Sequence, residues 1–358
     1  MEDSNEEMQD NLLLASQFLK PRIFSGAWNG ESLSRFDAIT ICLDGRLESD
    51  LNWKSIRELA QKAVNAGYMI FWKLELGLFN QLLHPLSNQT QFLSLTLSLE
   101  HFRDSLWSEF KYKSIGICFY TSNADFSENF TWSKEHQENL KNWLVQINQS
   151  TLSKLEVDEL NQNTDGRIYL SLFCRNVVLE YLTLLGTRVP DSLPLYLCLE
   201  IHPSTSLFEQ LVLLNPDAFS RFHLALRNSS LTFPVCGWQT SLPHGYIGEN
   251  SQDLPHPAAV SVGVCVCPAN CYQLKIYQEL AEAIGMLNEK KIPYRLISES
   301  ELTAQWDGLD HLIYSPTNLT TTAKRKLQGF CAAGGEVIST GNLLGFSLER
   351  NLNSWLNL

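Results

Sequence analysis

The sequence predicts an α/β protein with a (β/α)8 TIM-type barrel over residues 21–251 and a smaller parallel-sheet domain over residues 258–358. Three observations predict it. Short apolar runs alternate with helical patterns in the first region, as they do in a barrel of parallel strands. A Pro-rich stretch, Gln252–Pro257, then forms a linker. A second and more regular alternation of strands and helices follows it.

Residues 1–20 form an acidic tail that ends in a short helix, Asn11–Leu19, and the predicted barrel begins after it. Eight apolar runs are its predicted strands: Arg22–Trp28, Ala38–Leu43, Tyr68–Leu74, Ile115–Tyr120, Arg167–Cys174, Leu195–Ile201, Phe222–Leu226 and Phe233–Trp238. Four longer patterns of period 3.6 are the predicted helices between them: Trp53–Asn65, Leu93–Phe110, Ser133–Ile147 and Val177–Leu185. Gly67 is expected to end the first of these, and Ser133 to cap the third. The pattern sets no boundary between the fifth strand and its helix, and the first and last connections are short, so an irregular barrel is also expected.

The second domain has a simpler pattern. Its predicted strands are Val260–Cys267, Tyr294–Ser298, His311–Tyr314 and, as the last one, Glu336–Ser339. Its predicted helices are Tyr272–Glu289, Ser300–Gln305 and Thr321–Ala333, the last of which stops at Gly334-Gly335. Strands that alternate with helices in this way form a parallel sheet with helices on both faces.

Composition limits the classes of partner and compartment. The formal net charge is −12, which argues against nucleic acid or an anionic membrane as a partner, because either needs a basic face. The N-terminus is acidic, unlike a secretory signal, and no uninterrupted apolar stretch reaches the length of a membrane span. Most of the nine cysteines lie inside apolar runs, as reduced core residues do. We therefore expect a cytoplasmic protein.

The second domain resembles the trimerisation domain of family-42 β-galactosidases, a flavodoxin-like relative of class I amidotransferase domains. The similarity lies in three ordered pieces between Tyr272 and Gly341: "KKIPYRLI", "LDHLIYSP" and "CAAGGEVIST". In that family the domain follows a (β/α)8 glycosidase barrel. The resemblance therefore implies a glycoside hydrolase-like protein that acts on a small glycan or glycoside, and it implies a homo-oligomer, namely a trimer.

A second local similarity to the family lies at the fourth strand. In the family this strand ends in an Asn-Glu pair, whose Glu is the acid/base, before a helix that carries Trp-Leu near its end. Asn123 matches the Asn and Trp143-Leu144 match the helix, but Ala124 stands at the acid/base position. The family nucleophile follows the seventh strand, where this chain has Arg227-Asn228-Ser229. Both family carboxylates are absent. The alternative function is therefore a non-catalytic protein of this fold that serves as a carbohydrate-binding or oligomeric scaffold.

Other carboxylates follow predicted strands, where barrel enzymes place their catalytic groups. Asp125 and Glu200 are the predicted catalytic pair, because glycoside hydrolysis requires two carboxyl groups across the scissile bond. The predicted substrate-binding residues lie at the same ends of the strands: Trp28, Asp44, Glu75, Asn123, His202 and Trp238. Trp72 and Tyr120 are further candidates for stacking on a sugar ring. The more common role for each of these residues is a cap, a loop hydrogen bond or packing.

No cofactor is predicted, and no metal. Cys265, Cys267 and Cys271 are closely spaced, but a closed zinc site needs four ligands and no fourth one is near in the sequence. The amidotransferase chemistry of the related domains requires a cysteine at a glycine-flanked elbow between a strand and a helix. Cys331 instead falls inside a predicted helix, so this activity is not expected.

Overall fold

The computed structural model describes ten parts of the chain: residues 22–27, 38–44, 50–78, 89–122, 132–199, 206–213, 223–227, 245–248, 260–317 and 319–357. The protein is a mixed α/β structure in which every pair of hydrogen-bonded strands is parallel across the described residues. The strands form two sheets, one in the first part of the chain and one in the last hundred or so residues.

The seven strands of the first sheet pair in chain order and close into a barrel, since the first also pairs with the seventh. They are β1 Arg22–Ala27, β2 Ala38–Asp44, β3 Met69–Leu78, β4 Ser114–Ser122, β5 Leu195–Leu199, β6 His223–Arg227 and β7 Gly245–Gly248. The helices between them are α1 Asp50–Asn65, α2 Gln89–His101, α3 Lys134–Gln146, α4 Val157–Gln162, α5 Thr164–Gly186 and α6 Leu207–Leu213. A π-helical segment, Phe102–Trp107, and a last turn, Ser108–Phe110, extend α2.

The second sheet has five strands in the described residues, in the order β12-β11-β10-β8-β9. They are β8 Val262–Val266, β9 Tyr294–Ser298, β10 His311–Tyr314, β11 Glu336–Ser339 and β12 Glu349–Asn351. The helices are α7 Leu274–Glu289, α8 Leu302–Gln305, α9 Thr321–Ala332 and α10 Leu352–Leu356. Counted from β8, the order is 2-1-3-4-5, so the direction in which strands are added reverses between β8 and β10.

Several predicted elements lie where the sequence placed them. Gly67 has a φ of 86° after α1, and Gly334 has a φ of 97° after α9, a region that favours glycine. The side chain of Ser133 accepts a hydrogen bond from the backbone of His136, as an N-cap does. The predicted helix Asn11–Leu19, the linker and the strand Phe233–Trp238 lie outside the described residues.

The predicted fifth strand, Arg167–Cys174, is wrong. These residues form the middle of α5, a helix of 23 residues whose N-cap is Asn163. Nearly all of this stretch is buried, so its apolar residues show no helical periodicity and resemble a buried strand. A strand at Gly245–Gly248 and the edge strand β12 after Glu336–Ser339 were also missed. β12 is a three-residue strand of polar side chains, which carries little apolar signal.

Helix α5 is long and apolar enough to cross a membrane by its length and composition, although the sequence predicts no such span. About 67% of its most apolar window is nevertheless buried inside the protein. The guanidinium of Arg175, only 1% exposed, lies in the middle of this helix. It donates hydrogen bonds to the carbonyl oxygens of Val212, at 2.7 Å, and Ala269, at 2.8 Å. These features are those of a core helix of a soluble protein.

One hydrophobic core joins the two sheets. It runs without a break from residues of β2, β3 and β4 through α5 and α6 to β8 and α7. Helix α6 contacts both α5 and α7, so it lies between the two parts. The hydroxyl of Tyr169 in α5 also donates a hydrogen bond of 2.9 Å to the carbonyl of Tyr272, just before α7. The second sheet therefore packs against the outside of the barrel.

Candidate functional site

Of the eight residues predicted to be catalytic or substrate-binding, only Glu75 has a side chain that the structure describes. The two further stacking candidates, Trp72 and Tyr120, are also described. Asp44 is described by its backbone, which pairs with Glu75 in the β2–β3 ladder. The other six predicted residues lie outside the described part of the chain: Trp28, Asn123, Asp125, Glu200, His202 and Trp238. The separation of the predicted catalytic pair thus stays untested, and the site is built from the strands around Glu75.

The inside of the barrel is filled at one level by two aromatic rings. Phe71 of β3 and Tyr196 of β5 meet edge to face, with their ring centroids 5.1 Å apart. Gly116 of β4 separates the two strands, and a Cβ atom there would lie 2.6 Å from the ring of Tyr196. The close approach of these rings therefore requires glycine at this position. This layer of rings lies inside the barrel, next to the site.

Two residues further along β3, Lys73 points to the same side as Phe71 because side chains alternate along a strand. Its ammonium forms an ion pair of 2.7 Å with Glu75, and it lies 4.3 Å from the ring centroid of Tyr120 on β4. The side chain of Lys73 is 15% exposed and that of Glu75 is 54% exposed. The cluster Lys73–Glu75–Tyr120 therefore opens to solvent at the carboxyl ends of the barrel strands.

The charges of this cluster follow from its neighbours. Burial alone lowers the pKa of Lys73, but the hydrogen bond to Glu75 and the negative charge of that carboxylate outweigh burial, so that the pKa is raised. Burial raises the pKa of Cys42 despite the nearby ammonium of Lys73, and it raises that of Cys118 well above its ordinary value. The lysine is therefore protonated and the two thiols are neutral at physiological pH.

Trp72 is not a sugar-stacking platform. It is fully buried on the outer side of β3, where it packs against Phe102 and Phe110 of the segment after α2. Its indole Nε1 donates a hydrogen bond of 2.8 Å to the hydroxyl of Ser114. The sequence "FWKLEL" already indicates this burial, because side chains alternate along a strand and Trp72 therefore points away from the side of Lys73 and Glu75. The same alternation identifies Lys73, which the sequence analysis missed.

A cavity of about 1040 Å³ lies outside the barrel, between α3, α5 and the loop before α7. Four aromatic side chains and several amides line it, including Asn139, Trp143, Phe173, Asn176, Tyr181 and Tyr272. The ring of Trp143 meets that of Tyr272 edge to face, with centroids 5.2 Å apart, and it lies tilted at 5.6 Å from the ring of Phe173. Burial raises the pKa of Tyr181 to about 12, so its hydroxyl is neutral. We call this cavity the interdomain groove. Its volume is that of a site for a small organic ligand.

No set of three or more His, Cys, Asp or Glu side chains is arranged to hold a metal ion within the described residues. Cys265 and Cys267 do point into one small cleft together with Cys271.

Comparisons with known proteins give little further information. No protein-family model matches the chain, and no curated protein is similar to it. Among solved structures, the chain is similar to the full-length tri-modular endo-β-1,4-glucanase B from Bacillus halodurans, with 11% sequence identity and a TM-score of 0.31. The match covers 85% of this chain and 64% of the glucanase, so the chain spans less than two thirds of that protein. A TM-score this low supports no argument about function.

Proposed function

We propose that this chain is a glycoside hydrolase-like protein whose barrel binds a small glycan or glycoside at its carboxyl-end mouth. The closed ring of parallel strands supports a (β/α)8-type barrel, and the strand order 2-1-3-4-5 supports a flavodoxin-like second domain. One observation carries the function: the cluster Lys73–Glu75–Tyr120 lies where barrel proteins bind their ligands.

The chemistry of the cluster suits a ligand rich in hydroxyl groups. A sugar hydroxyl is both a donor and an acceptor, so it can donate to the Glu75 carboxylate and accept from the Lys73 ammonium. Lys73 holds Glu75 at 2.7 Å, which fixes the carboxylate before a ligand arrives. Glu75 is half-exposed, so it remains accessible to such a ligand.

Hydrolysis needs more than this cluster, because it needs two carboxyl groups of different roles. Glu75 is a salt-bridged acceptor, which suits binding better than proton donation. Asp125 and Glu200 remain the proposed acid/base and nucleophile. Asp44, whose backbone is paired with Glu75, remains a proposed substrate-binding residue together with Trp28, Asn123, His202 and Trp238.

A second candidate function is a non-catalytic carbohydrate-binding scaffold, which the interdomain groove favours. Its aromatic faces suit the C–H face of a pyranose, and its amides suit the hydroxyl groups. Ala124 and the segment Arg227-Asn228-Ser229 stand where the family-42 β-galactosidases, which the second domain resembles, have their two catalytic carboxylates. Their absence agrees with a loss of hydrolytic activity.

One experiment separates the two functions. An aryl-glycoside panel measures hydrolysis, and calorimetry with the corresponding free sugars measures binding, on the wild type and on Asp125→Asn, Glu75→Gln and Trp143→Ala. Hydrolysis that Asp125→Asn reduces by about 10²-fold or more supports the enzyme. Binding without hydrolysis, lost in Trp143→Ala and kept in Glu75→Gln, supports the scaffold. The absence of binding to every sugar in the panel would overturn both.

The proposals on compartment and assembly are separate from the site. A cytoplasmic protein without a nucleic-acid or membrane partner is proposed from the net charge of −12 and from the cysteines, most of which lie inside apolar runs as reduced thiols do. A homo-trimer is proposed from the resemblance of the second domain alone. Light scattering on the purified chain tests the trimer, and a monomer at micromolar concentration would contradict it.

A further inference from the structure

Two cysteines lie at the carboxyl end of β8, far from the barrel mouth in the sequence. Cys267 directly follows the strand, and Cys271 follows four residues later. The backbone N–H of Cys271 donates a hydrogen bond of 2.8 Å to the carbonyl of Pro268, which closes a tight turn between the two. The turn lies beside β10, where the strand order of the second sheet reverses. In parallel sheets, this is where ligands and reactive groups collect.

The two side chains border the same small cleft and are joined by a hydrogen bond. The Cys267 thiol donates a hydrogen bond to the sulfur of Cys271, and the backbone N–H of Gln273 donates a second one. The hydroxyl of Tyr277 donates in turn to the sulfur of Cys267. The thiol hydrogen bond lowers the pKa of Cys271 to about 7, whereas it and burial raise the pKa of Cys267 well above its ordinary value. The pair thus consists of a cysteine that loses its proton near neutral pH and a thiol that stabilises the thiolate.

The pair borders a cleft of about 20 Å³ that Glu299, Ser315 and Thr317 also line. This is room for about one water molecule, so only a small reagent reaches the sulfur atoms from inside the cleft. Cys267 is 6% exposed and Cys271 is half-buried. The outer cysteine is therefore the one that a reagent meets first, and the inner one lies behind it.

We propose that Cys271 is a nucleophile for hydrogen peroxide or a small alkyl hydroperoxide, and that Cys267 resolves the product as an intramolecular disulfide. The Cys271 thiolate attacks the peroxide oxygen, the O–O bond breaks, and the leaving alkoxide takes a proton to become an alcohol, or water for hydrogen peroxide. Cys271 becomes a sulfenic acid, oxidised by two electrons. The sulfur of Cys267 then attacks that of Cys271, the S–O bond breaks and water leaves. In total, two thiols and one hydroperoxide give one disulfide, one alcohol and one water.

One neighbouring carboxylate disfavours the thiolate form of Cys271. Glu299 lines the same cleft, and its negative charge raises the pKa of both Cys271 and Cys265. Burial raises the pKa of Cys265 far above its ordinary value, so this third cysteine stays a thiol. The proposal concerns the second sheet alone and does not depend on what the barrel binds.

The test is oxidation of the full chain by hydrogen peroxide, followed by blocking of free thiols and peptide mapping. We expect a Cys267–Cys271 disulfide that dithiothreitol reverses. Cys271→Ser should form neither the disulfide nor a sulfenic acid at this turn. Cys267→Ser keeps a hydrogen-bond donor, so it should accumulate a dimedone-reactive sulfenic acid at Cys271 without a disulfide. Cys331→Ala, which changes a buried helical cysteine, is the matched control and should behave as the wild type.

Alkylation kinetics give an independent measurement if a variant fails to fold. Iodoacetamide should label Cys271 of the wild type with a pH midpoint near 7. In Cys267→Ala the rate at pH 7 should fall about five- to fiftyfold, because the thiolate fraction falls more than its nucleophilicity rises. A midpoint near that of an ordinary thiol, or peroxide oxidation of Cys271 no faster than that of Cys331, would overturn the proposal.

Discussion

The guanidinium of Arg175 donates a hydrogen bond of 2.8 Å to the carbonyl oxygen of Ala269, which joins α5 of the barrel to the loop after β8. The same side chain donates to Val212 at the end of α6, so one buried cation holds three segments. Arg175 is 1% exposed, and a charge at such a depth is stable only while its hydrogen bonds are made.

We expect Arg175→Met to lower the free energy of unfolding by about 2–5 kcal/mol, because two buried carbonyls lose their hydrogen-bond donor, at about 1–3 kcal/mol each. Urea unfolding followed by circular dichroism measures the change. The control is Arg188→Met, which removes an exposed ion pair with Glu100 and should cost less than about 1 kcal/mol. Equal losses of unfolding free energy in the two variants would contradict a larger contribution from the buried Arg175 hydrogen bonds than from the exposed ion pair.

Gly116→Ala should destabilise the barrel by about 1–3 kcal/mol, because its Cβ would lie 2.6 Å from the ring of Tyr196. The matched control is Gly285→Ala in the middle of α7, where a Cβ meets nothing within 4 Å. That substitution should stabilise the protein by about 0.5–1 kcal/mol, as alanine does in a helix. The thermal unfolding midpoints should therefore move in opposite directions. A stabilising Gly116→Ala would contradict the packed interior.

The ion pair between Lys73 and Glu75 should give an alkaline pH dependence. The pKa of Lys73 is raised in the folded chain, so its contribution to stability is full below the ordinary lysine value of 10.5 and is lost as the pH rises through the folded pKa. The stability difference between wild type and Glu75→Gln should therefore be constant near pH 7–9 and shrink above about pH 10.5. Glu109→Gln removes an exposed pair with Arg57 and serves as the control. A difference that persists at high pH would mean that Lys73 does not titrate against Glu75.

The carboxylate of Glu349 should give an acid pH dependence. It accepts backbone hydrogen bonds from Leu344, Gly345 and Phe346, at 2.6–3.0 Å, and one from the hydroxyl of Tyr314. Burial raises its pKa, but these four donors outweigh burial and lower it. Its contribution to stability is therefore full above the ordinary value of 4.5 and is lost as the pH falls through the folded pKa.

We expect Glu349→Gln to destabilise the chain at pH 7 and to have a smaller effect at pH 3, because the wild-type carboxylate takes up a proton as the pH falls below 4.5 through its lowered folded pKa. Urea unfolding at both values measures this. Glu282→Gln, on the exposed face of α7, changes a carboxylate without such contacts and should have little effect at either pH. A Glu349→Gln effect of the same size at both pH values would contradict the role of the charge.

The second sheet could be predicted from the sequence because most of its strands are short, buried and separated by helices, of which α9 ends at Gly334. Its edge strand could not, since Glu349–Asn351 is only three residues long and has no apolar residue. The barrel was predicted less well. The stretch Arg167–Cys174 is buried on almost every side, and a buried helix and a buried strand then have the same apolar pattern.

Only part of the cluster Lys73–Glu75–Tyr120 was predicted from the sequence, and the binding role of Glu75 stays a prediction. Glu75 was chosen as a carboxylate that follows a predicted strand, whereas Lys73 was not chosen because a lysine inside an apolar run suggests a solvated side chain. Its ring partner Tyr120 and its ion-pair partner Glu75 lie on adjacent strands, and strand pairing brings them together. The Cys267–Cys271 contact depends on the fold of one turn, which cysteine spacing does not specify.

The unbroken core between the barrel and the second sheet limits how this chain can be divided in the laboratory. A truncation within the Pro-rich segment Gln252–Pro257 would separate the two parts. It would expose to water the apolar surfaces of α6 in the first part and of α7 in the second, which now pack together. Either part alone would expose an apolar surface and should aggregate, whereas the whole chain should unfold in a single cooperative transition. Neither part should therefore fold alone, so an assay of either site requires the whole chain.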